Sequence, residues 1–406
     1  MSSKKLTISG TGCALGDFLY DRISFDSIAF RKYLSKQTGD GGLDPGKLVF
    51  TEELEKFSGF SYESILKDIS GGVRPSAFNV GGPSLVSLIH ASQMLLIDDF
   101  EVKFFGMSGK DETSGLIFNI VKNTPLNTEN YLSVSSKATP FTDVLSDPHY
   151  NNGHGERTFV NNIGAAWDYS PVMLTDEFFN SEIVCFGGTA LVPQIHDNLT
   201  DLLQKARKRN CVTVVNTVFD FRNEKHSPGK PWPLGRTKTS FGLIDILIMD
   251  HVEALRISGQ DSLNNAALFF SSSNVASFII TNGPEDVLAW SEGRFFKKSR
   301  LIRLPVSERV KNDMKYKPEL KGDTTGCGDN FAGGVIASAA MQLGSMERGK
   351  LDIVEAVALG IASGGFCCYG LGGTYNEKTA GEKREKVTDL KKDYLNQINA
   401  DGAGRY

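Results

Sequence analysis

Short, continuously apolar segments recur along the chain and restrict it to a small set of folds. They are rich in β-branched residues, as expected for strands buried on both faces of a sheet: Leu6–Ser9, Val102–Gly106, Ile183–Phe186, Val212–Val215, Ile244–Met249 and Phe278–Thr281. Segments with helical periodicity lie between them: Ser84–Leu96, Asn198–Arg209, Asn330–Leu343 and Asp352–Cys368. This alternation predicts an α/β fold with a mostly parallel central sheet and helices on both of its faces.

Two regions interrupt the alternation. Residues 24–70 are polar and contain the turn-forming run Gly39-Asp40-Gly41-Gly42, which predicts an insertion with short elements of its own. In Thr139–Ala166, the segments Phe141–Leu145 and Arg157–Val160 alternate as paired strands do, on either side of a polar connection. This pattern predicts a β-hairpin that projects from the sheet and can act as a lid.

Composition narrows the functional class. The 406 residues include 44 lysines and arginines against 48 aspartates and glutamates, a net charge of −4, which argues against a nucleic-acid partner. No segment approaches the ~18 consecutive apolar residues of a membrane span, and the first ten residues lack an apolar signal-peptide core. The six cysteines have no Cys-x-x-Cys spacing, as expected for free thiols in a reducing compartment. We therefore expect a cytoplasmic protein with no membrane partner.

The segment Gly322–Val335 holds the highest density of glycine, threonine and aspartate residues that could take part in catalysis. Gly326 and Gly328 allow backbone N–H groups to approach an anion, and the following helix directs its positive end at the same place. Such an anion hole can stabilise charge on a transferring phosphoryl group. Asp329 alone would suit an ordinary helix cap, worth about 1 kcal/mol. Because Asp323, two threonines and two glycines accompany it, Asp329 is predicted to be a catalytic base.

Asp323–Asp329 resembles the D-T-x-G-A-G-D signature of the ribokinase/PfkB family of carbohydrate and nucleoside kinases. Six of the seven positions fit, and Cys327 stands where the family usually has alanine. Because no histidine lies near Cys327 in the sequence, a small-residue role is favoured there over a reactive thiol. The resemblance covers roughly Leu6 to Ile398, with residues 24–70 and 311–321 as additions. It implies a ribokinase-like three-layer fold in one domain, residues 1–406, with lid elements within residues 10–25, 72–82 and 139–166.

Two segments of the N-terminal half resemble the substrate site of the family. Ala14–Asp21 is similar to the first strand and turn, which implies that Asp21 binds substrate hydroxyls, with Asp17 as the alternative. A carboxylate suits this task because it accepts hydrogen bonds from vicinal hydroxyls. Gly81-Gly82 corresponds to the place where the backbone approaches the sugar, although an ordinary turn into a helix explains the pair equally well. Val86 stands where relatives usually have Asn, which leaves the substrate open.

Other segments resemble the metal and nucleotide sites of the family. Asp250–Glu253 is similar to the N-x-x-E motif that organises Mg²⁺ through water, although Glu253 can also be a first-turn carboxylate that stabilises its helix. ATP and Mg²⁺ are the implied cofactors, a monovalent cation such as K⁺ is allowed, and a homodimer through the lid is implied. The residues implied to bind nucleotide are Thr281, Gly283, Thr325, Gly326, Gly328 and Gly373, and those for metal are Asp250 and Glu253.

Three cationic residues are candidates to bind a phosphate on the substrate. Lys110, Arg157 and Arg222 lie in segments similar to family motifs, but each also suits an exposed position. They form no evident cluster in the sequence. A free sugar is therefore favoured over a sugar phosphate.

The resemblance implies an ATP-dependent kinase that phosphorylates a hydroxyl of a small sugar. Asp329 would take the proton of the hydroxyl, and the amides of Gly326–Gly328, Cys327 included, would stabilise the developing charge. Asp329 would also contact the substrate, together with Asp21 and Gly81-Gly82. Two alternatives stay open: a nucleoside kinase of the adenosine kinase type, and a sugar-binding sensor without catalysis. The presence of Asp329 and Glu253 argues against the sensor.

Overall fold

The structure is a computed structural model that describes residues 5–400 apart from residues 38 and 98, without the side chains of residues 152, 153 and 318. Its strands are β1 (Leu6–Gly12), β2 (Leu15–Tyr20), β3 (Leu48–Phe50), β4 (Ala77–Gly81), β5 (Phe100–Gly109), β6 (Tyr131–Val134), β7 (Phe141–Asp147), β8 (Glu156–Asn162), β9 (Ile183–Gly187), β10 (Val212–Asn216), β11 (Ile246–Asp250), β12 (Ser277–Thr281), β13 (Val287–Ser291) and β14 (Ile302–Leu304).

The α-helices occur mostly between the strands of the larger sheet and after its last strand. They are α1 (Ile28–Arg31), α2 (Thr51–Ser58), α3 (Tyr62–Ser70), α4 (Pro83–Met94), α5 (Glu112–Val121), α6 (Tyr150–Gly153), α7 (Asp176–Phe179), α8 (Pro193–Asp197), α9 (Leu199–Lys208), α10 (Phe221–His226), α11 (His251–Ser258), α12 (Leu263–Ser272), α13 (Glu308–Tyr316), α14 (Cys327–Leu343), α15 (Ile353–Cys367) and α16 (Glu382–Ala400). In the described ranges, no helix combines the length and the apolar character that a membrane crossing requires.

A nine-stranded sheet has the order β14-β13-β12-β11-β10-β9-β1-β5-β6. Its strands run parallel from β12 to β6, and at one edge β13 pairs antiparallel with β12, and β14 pairs antiparallel with β13. Alternate residues of β9 belong to different apolar cores: Ile183 and Cys185 lie in one, and Val184 and Phe186 lie in the other. Because helices cover both faces, every residue of β9 is buried. The predicted α/β fold is confirmed.

A second sheet of five strands has the order β3-β8-β7-β2-β4. The hairpin expected in Thr139–Ala166 forms its centre, with antiparallel pairing from Phe141 and Asn162 to Asp147 and Glu156. The polar connection between these strands includes the short helix α6. Strands β2 and β4 lie within residues 10–25 and 72–82, where lid elements were expected. We refer to this five-stranded sheet as the lid sheet.

Residues 24–70 form α1, β3, α2 and α3, and they enlarge the lid sheet. Strand β3 pairs with β8 and becomes an edge strand. Apolar residues of the insertion, including Phe30, Leu54 and Ile65, pack on Leu145 and Val160 of the hairpin. The insertion therefore covers one face of the lid sheet, and a dimer through the lid, which stays a prediction, would have to use a different surface.

Candidate active site

Asp329 lies in the first turn of α14, at the positive end of the helix. Its side chain is partly exposed, but the surrounding protein removes much of its hydration, and this desolvation raises the pKa of the carboxyl group to about 6. A pKa near the working pH is the property that an efficient general base needs. The raised pKa of Asp329 therefore suits a residue that transfers protons, whereas a residue that only caps a helix has no need of it.

The turn that precedes α14 presents backbone amides to open space. Gly326 has a φ of +76°, and a Cβ there would overlap Gly373. A Cβ on Gly328 would meet nothing within 4 Å. In the described part of the chain, the N–H groups of Gly326 and Gly328 have no hydrogen-bond acceptor, and that of Cys327 makes only a 3.3 Å bond to the carbonyl of Thr324. Free amides at a helix N-terminus form an anion-binding surface.

Asp323 organises the loop that leads to this turn. One oxygen of its carboxylate, Oδ1, accepts hydrogen bonds from the amides of Thr325 and Gly372, at 3.1 Å each. The second carboxylate of the glycine-rich run thus ties the loop to residues 370–373. Gly373, one of the predicted nucleotide-binding residues, lies against Gly326, and a Cβ on Gly373 would lie 2.8 Å from Cγ1 of Val86. Val86 therefore packs on this C-terminal loop.

Asp17 lies on β2, close to Asp329. The pKa of Asp17 is raised to about 7, first by burial and then by the negative charge of Asp329, while a hydrogen bond from Thr142 opposes the shift. The register pairs Asp17 with Asn79 on β4 and with Thr142 on β7. Because side chains alternate along strands, these residues point to the face of the lid sheet opposite the insertion. Asp17 and Asp329 thus lie on facing parts of one site.

The two glycines at the start of α4 have different structural tasks. A Cβ on Gly81 would overlap the carboxylate of Asp17, so the absence of a side chain makes room for that group. Gly82 has a φ of +94°, and a Cβ there would lie 2.6 Å from the carbonyl oxygen of Cys13. Both glycines are required by the backbone and by Asp17, whether or not a sugar also contacts them.

Asp21 lies apart from the two facing carboxylates, and its role in substrate binding stays a prediction. Asp21 follows the end of β2 in an exposed turn, where its carboxylate lies 4.0 Å from Nε of Arg22. Among the described residues, nothing joins Asp21 to Asp17 or Asp329. The first strand of the large sheet ends at Gly12, and β2 begins at Leu15, so Asp17 lies near the junction of the two sheets.

Asp250 and Glu253 lie at the carboxyl end of β11, next to the site. Each carboxylate accepts a hydrogen bond from the backbone N–H of the other residue, at 2.7 and 3.0 Å, which is a capping box at the start of α11. Thr217 also donates to Glu253, at 2.6 Å. Burial raises the pKa of Glu253 to about 7, and the charges of Asp250 and Asp329 add to the shift. The pair therefore caps α11, and its predicted metal role stays a prediction.

A divalent cation fits the charge pattern of this region. In the described residues, no group of three or more His, Cys, Asp or Glu side chains could hold a metal ion directly. However, Asp17 and Glu253 both have raised pKa values to which the charge of Asp329 contributes. A hydrated Mg²⁺ bound mainly by phosphate oxygens would relieve this repulsion without a full cage of protein ligands.

The residues predicted to bind nucleotide fall into two groups. Thr281 ends β12 and is paired in register with Asp250, and Gly283 follows with a φ of +56°. Thr325, Gly326, Gly328 and Gly373 lie around the N-terminus of α14. Both groups are at the carboxyl ends of parallel strands or at a helix N-terminus, where phosphates bind in open α/β sheets. Their individual roles stay predictions.

The family model of the pfkB family carbohydrate kinases matches residues 60–380. The chain belongs to the PfkB family of carbohydrate kinases. It shares its fold with adenosine kinase from Schistosoma mansoni in complex with 2-fluoroadenosine, at 16% identity and a TM-score of 0.65 over 91% of this chain and 97% of that one. No curated protein sequence gives a significant match.

Two further solved structures share the fold of this PfkB kinase. Arabidopsis thaliana ribokinase complexed with ribose and ATP is 14% identical, with a TM-score of 0.60 over 96% of this chain and 99% of that one. A probable sugar kinase from Rhizobium etli is 13% identical, with a TM-score of 0.66 over 95% and 99% of the two chains. Identities this low establish the fold alone.

The cationic candidates of this PfkB kinase lie apart. Lys110 is exposed at the start of the turn after β5, and Arg157 lies on β8. Arg222 donates to Asp197 at 3.2 Å. Among the described residues, no lysine or arginine contacts Asp17 or Asp329. Within the described ranges, these cations therefore do not assemble into a site for a phosphate on the substrate.

Two features near the anion hole were not predicted from the sequence. Asn330 lies directly after Asp329 and donates hydrogen bonds from its Nδ2 to the carbonyls of Gly326 and Gly373, at 2.9 and 2.7 Å. The Sγ of Cys327 lies 3.5 Å from that of Cys368, and the neighbouring thiols raise the pKa of Cys327. Such a thiol is a poor nucleophile, in agreement with a small-residue role for Cys327.

Proposed function

We propose that this PfkB kinase transfers the γ-phosphoryl group of ATP to a hydroxyl group of a small, unphosphorylated sugar. One observation carries the proposal: a carboxylate with a pKa of about 6, Asp329, lies beside free amides at the start of α14. Asp17 faces it from the lid sheet. This arrangement supports deprotonation of a hydroxyl next to an anion-binding surface.

In the proposed reaction, Asp329 accepts the proton of the substrate hydroxyl while the oxygen attacks the γ-phosphorus. The bond from that phosphorus to the bridging oxygen breaks, and ADP leaves with the electron pair. The amides of Gly326, Cys327 and Gly328 would stabilise the charge on the transferring group, since they are aligned with the positive end of α14. Asp329 then releases its proton to solvent, which restores the base.

We assign Asp17 to bind substrate hydroxyls. Its carboxylate is partly buried, faces Asp329 and occupies the space left by Gly81. A carboxylate in such a position can accept hydrogen bonds from two adjacent hydroxyls of a sugar. This assignment replaces Asp21 as the predicted hydroxyl-binding residue.

Asp250 and Glu253 would hold Mg²⁺ through water in this proposal. When bound with ATP, the ion would supply neutralisation of the phosphate charge. A monovalent cation such as K⁺ is a further prediction of the family resemblance, which a comparison of activity in potassium and sodium salts would test.

A nucleoside is the second candidate substrate. A cavity of about 760 Å³ is lined by Phe50 from the insertion, Trp167 and Arg222, among other residues. Aromatic side chains of this kind can pack on a purine base. One of the solved structures with this fold is an adenosine kinase. A screen that offers sugars and nucleosides in parallel distinguishes the two substrates.

The activity should depend on pH through Asp329. Its pKa is raised to about 6, so the carboxyl group is protonated below that pH and cannot accept the substrate proton. We expect kcat/KM to fall at least about tenfold for each pH unit below 6, because this ratio reports the free enzyme and protonation of Asp17, whose pKa is about 7, adds to that of Asp329. Titration of kcat/KM from pH 4.5 to 8 measures this limb. A flat profile through pH 6 would contradict the role of Asp329.

Gly81→Ala should impair the site although it adds only a methyl group. The new Cβ would overlap the carboxylate of Asp17 and force it to move. We expect the KM for the substrate to rise roughly tenfold or more, since loss of a hydrogen bond to a charged group costs about 1.5–3 kcal/mol. Gly115→Ala on α5 is the control, because a Cβ there meets nothing within 4 Å. Equal KM values for the two variants would contradict the link between Gly81 and Asp17.

A further inference from the structure

Lys383, near the start of α16, is a buried cation whose Nζ has no carboxylate within ion-pair distance in the described part of the chain, although its backbone N–H donates to Glu377 at 2.8 Å. Only 1% of its surface is exposed. Its Nζ donates to Oε1 of Gln93 and to Oδ1 of Asn330, at 3.0 Å each, and both acceptors are neutral amides. Burial of an ammonium group is costly unless it is paired with an anion, whereas methionine or leucine would fill the same space without that cost. Packing alone therefore does not explain why a lysine occupies this position, which suggests that its charge has a function.

Asn330 connects Lys383 to the anion hole. It is also buried, with 1% of its surface exposed. While its Oδ1 accepts from Lys383, its Nδ2 donates to the carbonyl oxygens of Gly326 and Gly373. Lys383 thus fixes the orientation of the amide that joins the turn before α14 to the C-terminal loop.

The carbonyl of Gly326 controls the direction of an amide in the anion hole. This carbonyl and the N–H of Cys327 belong to the same peptide unit, which is planar, so in the trans form they point in opposite directions. Two donors of Asn330, its backbone N–H and its Nδ2, hold the carbonyl towards the protein interior, at 2.9 Å each. The N–H of Cys327 is consequently turned away from Asn330, on the side of the Thr324 carbonyl, to which it makes its long 3.3 Å bond.

We propose that Lys383 is a positioning residue for phosphoryl transfer. It holds Asn330 so that the Gly326–Gly328 turn presents its amides to the γ-phosphate, and its positive charge polarises this hydrogen-bonded chain from behind. Hydrogen bonds in a chain strengthen one another in a medium of low dielectric constant. The inference rests on the proposed function in one respect, namely that these amides bind the transferring group.

The charge of Lys383 can be removed near neutral pH. Burial lowers its pKa to about 7, and interactions with the nearby Cys367 and Glu377 side chains oppose this shift. On α4, burial and, after it, the positive charge of Lys383 lower the pKa of His90. Because the pKa of Lys383 is lowered, the ammonium is present below pH 7 and is lost as the pH rises. Asp17 and Glu253 lose their protons in the same pH range, and in this proposal their ionisation raises activity as the pH rises. A decline of activity on the alkaline side is therefore the signal that reports Lys383.

The test compares Lys383→Met with Lys386→Met. Lys386 lies one turn further along α16, is exposed, and pairs with Glu382. We expect Lys383→Met to lower kcat about tenfold or more, as loss of preorganised anion-hole donors does, with a KM for the sugar within threefold of wild type. We also expect the alkaline decline of kcat/KM to disappear. Lys386→Met should match wild type. A kcat of Lys383→Met within twofold of wild type, with an unchanged pH profile, overturns the proposal.

Gln93→Glu tests the same inference if Lys383→Met fails to fold. The new carboxylate would lie beside Nζ of Lys383 and raise the pKa of the ammonium group. We expect the alkaline decline of kcat/KM to move up by about one pH unit or more. A decline that stays in place, or its absence in the wild type, contradicts a role for the charge.

A binding measurement separates this inference from the proposed function. If the wild type phosphorylates no acceptor, the proposed function fails on its own. Calorimetric titration with a non-hydrolysable ATP analogue and with ADP still tests the anion hole. We expect Lys383→Met to reduce the preference for the analogue over ADP by about tenfold, and an unchanged preference would overturn the inference.

Discussion

Asp329→Asn should yield a folded protein whose kcat is lower by a factor of about 10²–10⁴, the range attributed to a positioned general base. The asparagine side chain has nearly the same shape and can still occupy the first turn of α14. It has no carboxylate to accept the proton of the attacking hydroxyl. Its effect should therefore appear in kcat, while the KM values for ATP and for the sugar change little.

A matched variant separates catalysis from helix stability. Asp352→Asn removes a comparable carboxylate from the start of α15, where Asp352 caps the helix and accepts from the amide of Val354 at 2.8 Å. The Asp352→Asn control should have the same kcat as the wild type. Its melting temperature should be similar to that of Asp329→Asn. Near-normal turnover by folded Asp329→Asn would exclude Asp329 as the base.

Asp17→Asn should raise the KM for the sugar by about 10- to 100-fold, since hydrogen bonds to charged groups contribute about 1.5–3 kcal/mol. The neighbouring carboxylate on the same strand-and-turn segment, Asp21, provides the matched control. Because Asp21 lies in an exposed turn, Asp21→Asn should leave the KM within twofold of wild type. Steady-state kinetics of both variants, with saturating ATP, measures the difference.

The opposite result would be equally informative. If Asp21→Asn raised the KM and Asp17→Asn did not, the lid would have to rearrange on substrate binding so that Asp21 reaches the site. If neither variant changed the KM, substrate hydroxyls would be bound elsewhere. Either outcome would contradict the assignment made from the raised pKa of Asp17 and its position beside Gly81.

The features of the fold that depend on local pattern could be predicted from the sequence. Runs such as Ile183–Phe186 are buried on both faces, and such strands leave a continuous apolar signature. The hairpin of β7 and β8 was predicted from alternation, and its pairing is confirmed. The glycine-rich run before α14 could be recognised because it contains a second carboxylate, two threonines and two glycines beside Asp329, more functional residues than a helix cap requires.

The parts that the sequence could not reveal depend on contacts between distant segments. Asp17 and Asp21 have similar local surroundings, and only the end of β1 at Gly12 shows which of them lies near Asp329. The Lys383–Asn330 contact joins residues 53 positions apart and follows no short motif. Likewise, the packing of the insertion on the lid hairpin was not visible in its polar, turn-rich sequence.

Substrate phosphorylation tests the central claim most directly. The wild-type protein would be incubated with ATP, Mg²⁺ and panels of free sugars and nucleosides, and ADP and the phosphorylated product would both be measured, the latter by mass spectrometry. We predict that at least one free sugar yields a phosphorylated product in a one-to-one ratio with ADP, and that Asp329→Asn yields almost none. Phosphorylation of nucleosides alone, or sugar binding without any ADP release, would contradict the assignment of this protein as a kinase of free sugars.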